Sequence, residues 1–187
     1  MRLMKRSFRK SPAYAFIDSQ NLNLGIQRMG WKLDWRKFRQ YLKDEHGVTH
    51  AYMFIGYMAE NEALYEYMHE LGYLVVLKPT VDITQAQEPG DTHEKHIVKG
   101  NVDVELVLYA MKEMPNYKKA IIVSGDGDFY ALAEYLDEKG KLAQILTPNW
   151  QYSSLLKPFA NKIIRLDQMR SQFAYHDKKS KKFKRNR

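Results

Sequence analysis

The chain contains no cysteine. Disulfides and thiolate metal sites are therefore excluded, and the composition fits a reducing compartment, with the cytoplasm as the expected location. No apolar run reaches the ~20 residues that a membrane-spanning helix needs, so no membrane association is expected. The basic N-terminus lacks the apolar segment of a secretory signal. No internal repeat is present. What remains is a chain of 187 residues, long enough for one independently folding domain with tails.

Charge is what the sequence has in excess, and it is unevenly placed. The formal net charge is +8. Arg2, Lys5, Arg6, Arg9 and Lys10 stand at the start with no acid among them. Lys178, Lys179, Lys181, Lys182, Lys184, Arg185 and Arg187 stand at the end against Asp177 alone. The body between is mildly acidic. The expected division is a basic arm over residues 1–12, a folded domain over 13–173 and a basic tail over 174–187. Basic arms around a folded domain suit a polyanion, most simply RNA or DNA. Solubilising tails would show the same composition.

Within the body, short apolar runs alternate with helical patterns. Tyr14–Ile17, Thr49–Ile55, Tyr73–Leu77, Ala120–Val123 and Leu142–Leu146 read as strands. Helical periodicity follows Asp18 (Leu22, Leu24, Ile26), follows Asp34 (Trp35, Phe38, Tyr41, Leu42) and spans Ala59–Leu71, with Leu64, Tyr67, Met68 and Leu71 as its apolar face. Further helices are expected from Asn101 to Met114, from Phe129 to Lys139 and from Asn149 to Ala160. Lys162–Leu166 reads as an edge strand, and residues 167–174 as a last short helix. Strand, helix and strand in this order mean right-handed βαβ units and a parallel sheet. Thr80–Gly100 is polar and aperiodic, and is expected to be a long loop. His93 and His96 within it have zinc-like spacing but no third ligand, so no zinc site is expected.

The stretch Ala120–Phe129 organises the rest. A run buried on both faces breaks at Ser124-Gly125 and resumes as a helix after Phe129. Asp126 and Asp128 thus stand at the carboxyl end of a buried strand, the edge where open α/β sheets place ligands. Asp18 ends the first strand in the same way, with Asn21 one helical turn on. Asp103 opens the helix that precedes the central strand, where an acid also complements the helix dipole. If the first and fourth strands are neighbours, these carboxylates converge. Clustered carboxylates repel unless a cation joins them, and their oxygens are natural ligands for Mg²⁺ or Mn²⁺. Such a site suits phosphodiester hydrolysis. Asp-x-Asp alone also occurs in glycosyltransferases and phosphatases, and an Asp/Gly-rich turn can simply cap the next helix.

Three segments carry a more specific resemblance. Phe16-Ile17-Asp18-Ser19-Gln20-Asn21-Leu22, Lys99-Gly100-Asn101-Val102-Asp103-Val104 and Val123-Ser124-Gly125-Asp126-Gly127-Asp128-Phe129, followed by Leu132 and Gly140, resemble the NYN (LabA-like) branch of the PIN-like nucleases. The resemblance runs from about Tyr14 to Leu166. It implies a Rossmann-like, three-layer α/β/α fold with a central parallel sheet of order 3-2-1-4-5. It also implies a Mg²⁺- or Mn²⁺-dependent endoribonuclease. Its acidic positions fall on Asp18, Asp103, Asp126 and Asp128, with Asn21 and Ser124 as polar supports. Lys99 and the tail lysines Lys178, Lys179, Lys181 and Lys182 are expected to meet RNA phosphates. A homo-oligomer is compatible with this reading. One departure is Tyr109, where many members carry a further Asp. The alternative is a non-catalytic RNA-binding or regulatory module with a degenerate metal site. A phosphatase of the Asp-x-Asp-x-Thr type ranks below both, because Ser19 and Gln20 follow Asp18.

Overall fold

In a computed structural model of the chain, Ala13–Asp18 forms the first strand, β1, with all six residues buried. The structure describes residues 12–78, 81–84, 96–99 and 102–176, and gives 81–84 and 96–99 as backbone only. β1 is buried on both faces because helices cover the sheet on both sides. Its odd residues Ala13, Ala15 and Ile17 pack into one apolar cluster. Its even residues Tyr14 and Phe16 pack into the other. This is the period-2 alternation of a strand with two dry faces.

The first face is covered by α1 (Ser19–Arg28), α2 (Trp35–Asp44) and α3 (Glu62–Glu70). They contribute Leu22, Ile26, Phe38, Leu42 and Met68 to that cluster. The second face is covered by α4 (Asp103–Lys112) and α5 (Tyr130–Glu138), which supply Leu106, Ala110, Leu132, Ala133 and Leu136. Between them run β2 (Val48–Gly56), β3 (Leu74–Lys78), β6 (Lys119–Val123), β7 (Leu142–Thr147) and β8 (Ile163–Arg165). Every pairing in this sheet is parallel, and its order is β3-β2-β1-β6-β7-β8. Counting only strands of the sheet, this is the expected 3-2-1-4-5 with the edge strand added. The chain runs outward from β1 through β2 to β3, then crosses to the other side of β1 as β6. The order therefore reverses between β1 and β6, which makes their carboxyl ends the topological switch point.

Several expectations are corrected. The polar segment is not all loop: β4 (Val81–Thr84) and β5 (His96–Lys99) pair antiparallel as a separate two-stranded ribbon. α3 buries Tyr65 and Met68, while Leu64 and Tyr67 are exposed. The helix is preceded by a 3-10 turn at Ala59–Asn61, and it sits with a narrow stripe on the sheet. Leu24 of α1 is likewise exposed, so the buried stripe is Leu22 and Ile26. Asn149–Ala160 is not an α-helix. A 3-10 stretch covers Ser154–Lys162, kinked at Phe159 after Pro158, since proline removes a backbone donor. Gly72 and Gly140 stop α3 and α5 as expected, at φ +85° and +65°, a region that favours glycine. After a short helix α6 (Arg170–Phe173), backbone pairing to the body continues through Tyr175, whose N–H donates to the Lys32 carbonyl at 2.8 Å. Among the described residues no helix is long and apolar enough to cross a membrane. His93 and the basic residues of both ends, Lys178, Lys179, Lys181 and Lys182 included, lie outside the described residues, and Lys99 is described only as backbone.

Candidate functional site

β1 and β6 run in register with Ile17 opposite Val123, which sets Asp18 beside Ser124. Asp18 is both the last residue of β1 and the N-cap of α1. Its Oδ1 accepts from the Asn21 N–H at 3.0 Å, and its Oδ2 accepts from the Ser124 Oγ–H at 3.2 Å. Ser124 in turn accepts from the Asp126 N–H at 3.1 Å. Asn21 reaches across with its side-chain oxygen to the Gly125 N–H at 2.9 Å. Asp126 caps the 3-10 turn Gly127–Phe129 by accepting from the Asp128 N–H at 3.1 Å. Two loops are thus stapled together by side chains that the sequence singled out.

The electrostatics are unfavourable in the absence of a cation. Asp18 is only 5% exposed. Burial pushes its carboxyl up from the ordinary value. The Asn21 and Ser124 hydrogen bonds pull it down, while the charges of Asp103 and Asp126 push it up again. Asp103 and Asp126 are half-buried and Asp128 is exposed. Asp18, Asp103 and Asp126 therefore share one electrostatic neighbourhood, and the exposed Asp128 is tied to it through its backbone N–H on Asp126. Oxygen donors carrying like charges fit a hard divalent cation in chemical type. Among the described residues, no three acidic or histidine side chains are grouped closely enough to hold an ion by themselves. Mg²⁺ in phosphoryl sites commonly takes one or two carboxylates, with waters and substrate oxygens completing its shell.

Glu105, two residues beyond Asp103, does not join this group. It pairs with Lys78 at the end of β3, Nζ to Oε2 2.9 Å, two strands away from β1. Tyr109 is a packing residue. Its ring lies 5.6 Å from both Tyr52 and Phe54 on β2, against the second apolar cluster. Tyr109→Asp is therefore expected to lower the melting temperature, by about 2–4 °C per kcal/mol of stability removed in a domain of this size, with no gain in RNA turnover. Calorimetry and a cleavage assay on that variant check this; a faster variant of unchanged stability would make the position a missing ligand.

Three site residues escaped the sequence reading. Gly25 lies inside α1, and a Cβ there would sit 2.5 Å from the Pro148 ring. Asn149, 4% exposed, donates to the Gly25 carbonyl at 2.8 Å. The Ser153 N–H donates to the Gly125 carbonyl at 2.9 Å, and its hydroxyl lies 2.4 Å from where a Cβ on Gly127 would stand. The segment after β7 thus closes over the Asp126–Asp128 turn. A glycine between Leu22 and Ile26, inside a helical pattern, was the one available signal of this close approach.

The family model for the NYN domain matches residues 12–167. The chain is 24% identical over 169 residues to the low amplitude and bright protein LabA of Synechococcus elongatus, across 88% of this chain and 89% of that one. It is also similar to the crystal structure of a protein of unknown function from Vibrio parahaemolyticus, with a TM-score of 0.69 and 22% identity over 91% of this chain and 99% of that one. At that identity the likeness speaks for the fold alone.

Proposed function

The chain belongs to the NYN domain family, and from that premise we propose that its PIN-like, nuclease-type domain hydrolyses RNA phosphodiester bonds with Mg²⁺ or Mn²⁺, as an endoribonuclease. The observation that carries the reading is the buried Asp18 carboxylate, fixed at both oxygens and pressed by the charges of Asp103 and Asp126. Such an arrangement is costly for the fold unless a cation or a proton neutralises it. Asp18, Asp103, Asp126 and Asp128 would hold the ion, which when bound supplies an activated water and positive charge for the leaving oxygen. Ser124 keeps Asp18 oriented and links it to the Asp126 backbone. Asn21 has its oxygen committed to Gly125, so its amide nitrogen is the group left to donate to a phosphate. An acidic edge repels RNA on its own. The basic ends, and Lys99, would supply the affinity. A cytoplasmic setting and self-association are compatible with this proposal.

The test is turnover of labelled single-stranded and structured RNAs, with and without Mn²⁺, by the wild-type and Asp126→Asn proteins. Cleavage is expected to require the metal and to fall about a hundredfold or more in the variant, since metal charge stabilisation is worth several kcal/mol. Equal turnover by both proteins would remove the acidic edge from the reaction. RNA binding without turnover under any divalent ion would favour the non-catalytic, regulatory reading.

The tail makes a separate prediction. A chain ended at His176 keeps the Tyr175 backbone hydrogen bond but not the Lys/Arg cluster beyond it. Its RNA affinity should fall, and the slope of log affinity against log salt should flatten by about 0.7 for each single-strand phosphate that the tail had neutralised. An unchanged slope in a filter-binding series would mean that the tail touches no phosphate.

A further inference from the structure

On the first face of the sheet, beside the acidic edge, lies an open cleft of about 440 Å³ that the proposed chemistry does not use. It is lined by Met53 and Ile55 of β2 and by the buried Met68 of α3. Trp35 at the start of α2 lines it too, and Met58, Leu24 of α1 and Leu64 of α3 complete its apolar lining. Leu24 and Leu64 are 43% and 42% exposed, although each sits on a helix that had buried positions to offer. The exposure that contradicted the helical pattern is thus explained by one feature: both leucines line this cleft. Three carboxamides, Gln20, Asn23 and Asn61, line it as well. Each offers both a donor and an acceptor.

These properties select a ligand class. The volume lies in the range of small-molecule sites and far exceeds what an ion or a phosphate fills. Among the described residues no Lys, Arg or His lines the cleft, so these residues offer no positive charge to an anionic group. Apolar walls with an indole among them suit a flat heterocycle, and stacking of a base on an aromatic side chain is worth about 1–3 kcal/mol. Carboxamides suit the edge of that heterocycle, because unpaired RNA bases are read by hydrogen bonds to their edges. The place of the cleft in the fold agrees with this class. Asp18 is followed directly by Ser19 and Gln20, which line the cleft, so the cleft adjoins the acidic edge.

We infer that this cleft is a base-specificity pocket, which accepts one unpaired nucleobase of the RNA next to the phosphate under attack. The inference rests on reading the acidic edge as an RNA site, and it adds what that reading lacks, a source of base preference. The carboxamides act as specificity residues and take no part in the bond cleavage.

The test separates the two claims by reading binding without catalysis. Each of the four nucleoside 5′-monophosphates, and ribose 5-phosphate as a control, is titrated into ¹⁵N-labelled full-length protein without divalent metal, and amide spectra are followed. The expected result is saturable movement of the Trp35 indole N–H and of the Gln20, Asn23 and Asn61 side-chain amides. One base should bind at least about fivefold more tightly than the weakest, and ribose 5-phosphate should leave these signals still. Asn61→Ala and Gln20→Ala, both at solvent-accessible positions, should each narrow that preference by about threefold or more while the backbone spectrum stays folded. The inference is overturned if the four amide and indole signals do not move, if ribose 5-phosphate moves them equally, or if both variants keep the wild-type preference. Movement of these signals in a protein that cleaves no RNA would keep the pocket and sink the nuclease reading. Cleavage without movement would do the reverse.

Discussion

Asp18→Asn is expected to raise the melting temperature of the metal-free protein while reducing RNA turnover by about a hundredfold or more. The two effects have one cause. Asparagine keeps an oxygen to accept from the Asn21 N–H, so the cap of α1 survives. Ser124 can turn its hydroxyl to accept from the new amide, so that hydrogen bond survives as well. What disappears is a buried negative charge facing Asp103 and Asp126. The pH dependence fixes the sign. Asp18 has its carboxyl raised in the fold above the ordinary 3.8. Between the two values the folded protein holds a proton that the unfolded chain has released, so stability falls as pH rises through that window. Below about pH 3.8 the penalty is absent, and above the raised value it is complete. The stabilisation by Asn should therefore be largest near neutral pH and vanish in acid. Adding Mn²⁺ should reverse the order of the two proteins, because only the wild type gains from the ion by mass action. Thermal scans at acidic and neutral pH, with and without Mn²⁺, check all three statements. A variant less stable than wild type at neutral pH without metal would mean that Asp18 is a structural anchor and no ligand.

The convergence of Asp18, Asn21, Ser124 and Asp126 was legible in the sequence, while parts of the fold were not. Asp18 and Ser124 each end a run of apolar residues and Asp126 follows two residues later, so the carboxyl ends of two buried strands, where open α/β sheets place ligands, could be read directly. The sheet order followed from the βαβ alternation, which leaves few topologies. The errors fall where periodicity carries little information. The strands of the β4–β5 ribbon are only four residues each, Val-Asp-Ile-Thr and His-Ile-Val-Lys, the shortest run from which an alternation can be read, and they sit within a polar stretch. In α3 the pattern Leu64, Tyr67, Met68, Leu71 was a valid apolar stripe, but the helix packs instead on Tyr65 and Met68. Tyr65 is drawn inward by polar contacts as well as apolar ones: its hydroxyl accepts from the Met58 N–H at 2.9 Å and has its single proton within reach of either the Gly56 or the Met58 carbonyl. Tyr109 misled in the opposite way. Its place in a family pattern invited a functional reading, whereas its ring is held by Tyr52 and Phe54. Contacts between segments distant in sequence, such as Asn149 with Gly25, have no local signature at all.

That last contact supports the second large effect, the loss of stability and activity in Gly25→Ala. In an isolated helix the change would be favourable by about 1 kcal/mol, because alanine is the better helix former. Here the new Cβ would lie 2.5 and 2.6 Å from two ring carbons of Pro148 and 3.4 Å from the Asn149 amide nitrogen. A proline ring is fixed to its backbone and cannot rotate away. The segment after β7 must therefore shift, at about 1–3 kcal/mol for an overpacked contact. Moving Asn149 also breaks its bond to the Gly25 carbonyl, both groups being buried, which adds about 1–3 kcal/mol. Strain outweighs propensity, and a fall of roughly 2–4 °C for each net kcal/mol is expected. The displacement does not stop there. Ser153 in the same segment holds the Gly125 carbonyl and rests against Gly127, so the Asp126–Asp128 turn should lose its position and turnover should fall with stability. Pro148→Gly in the same chain removes the ring and is expected to recover part of both losses. Gln27→Ala, on the exposed side of α1, serves as the propensity control and should be neutral or slightly stabilising. A Gly25→Ala protein as stable and as active as wild type would show that the segment after β7 yields freely, and that the close packing of Gly25 on Pro148 does not position the acidic turn.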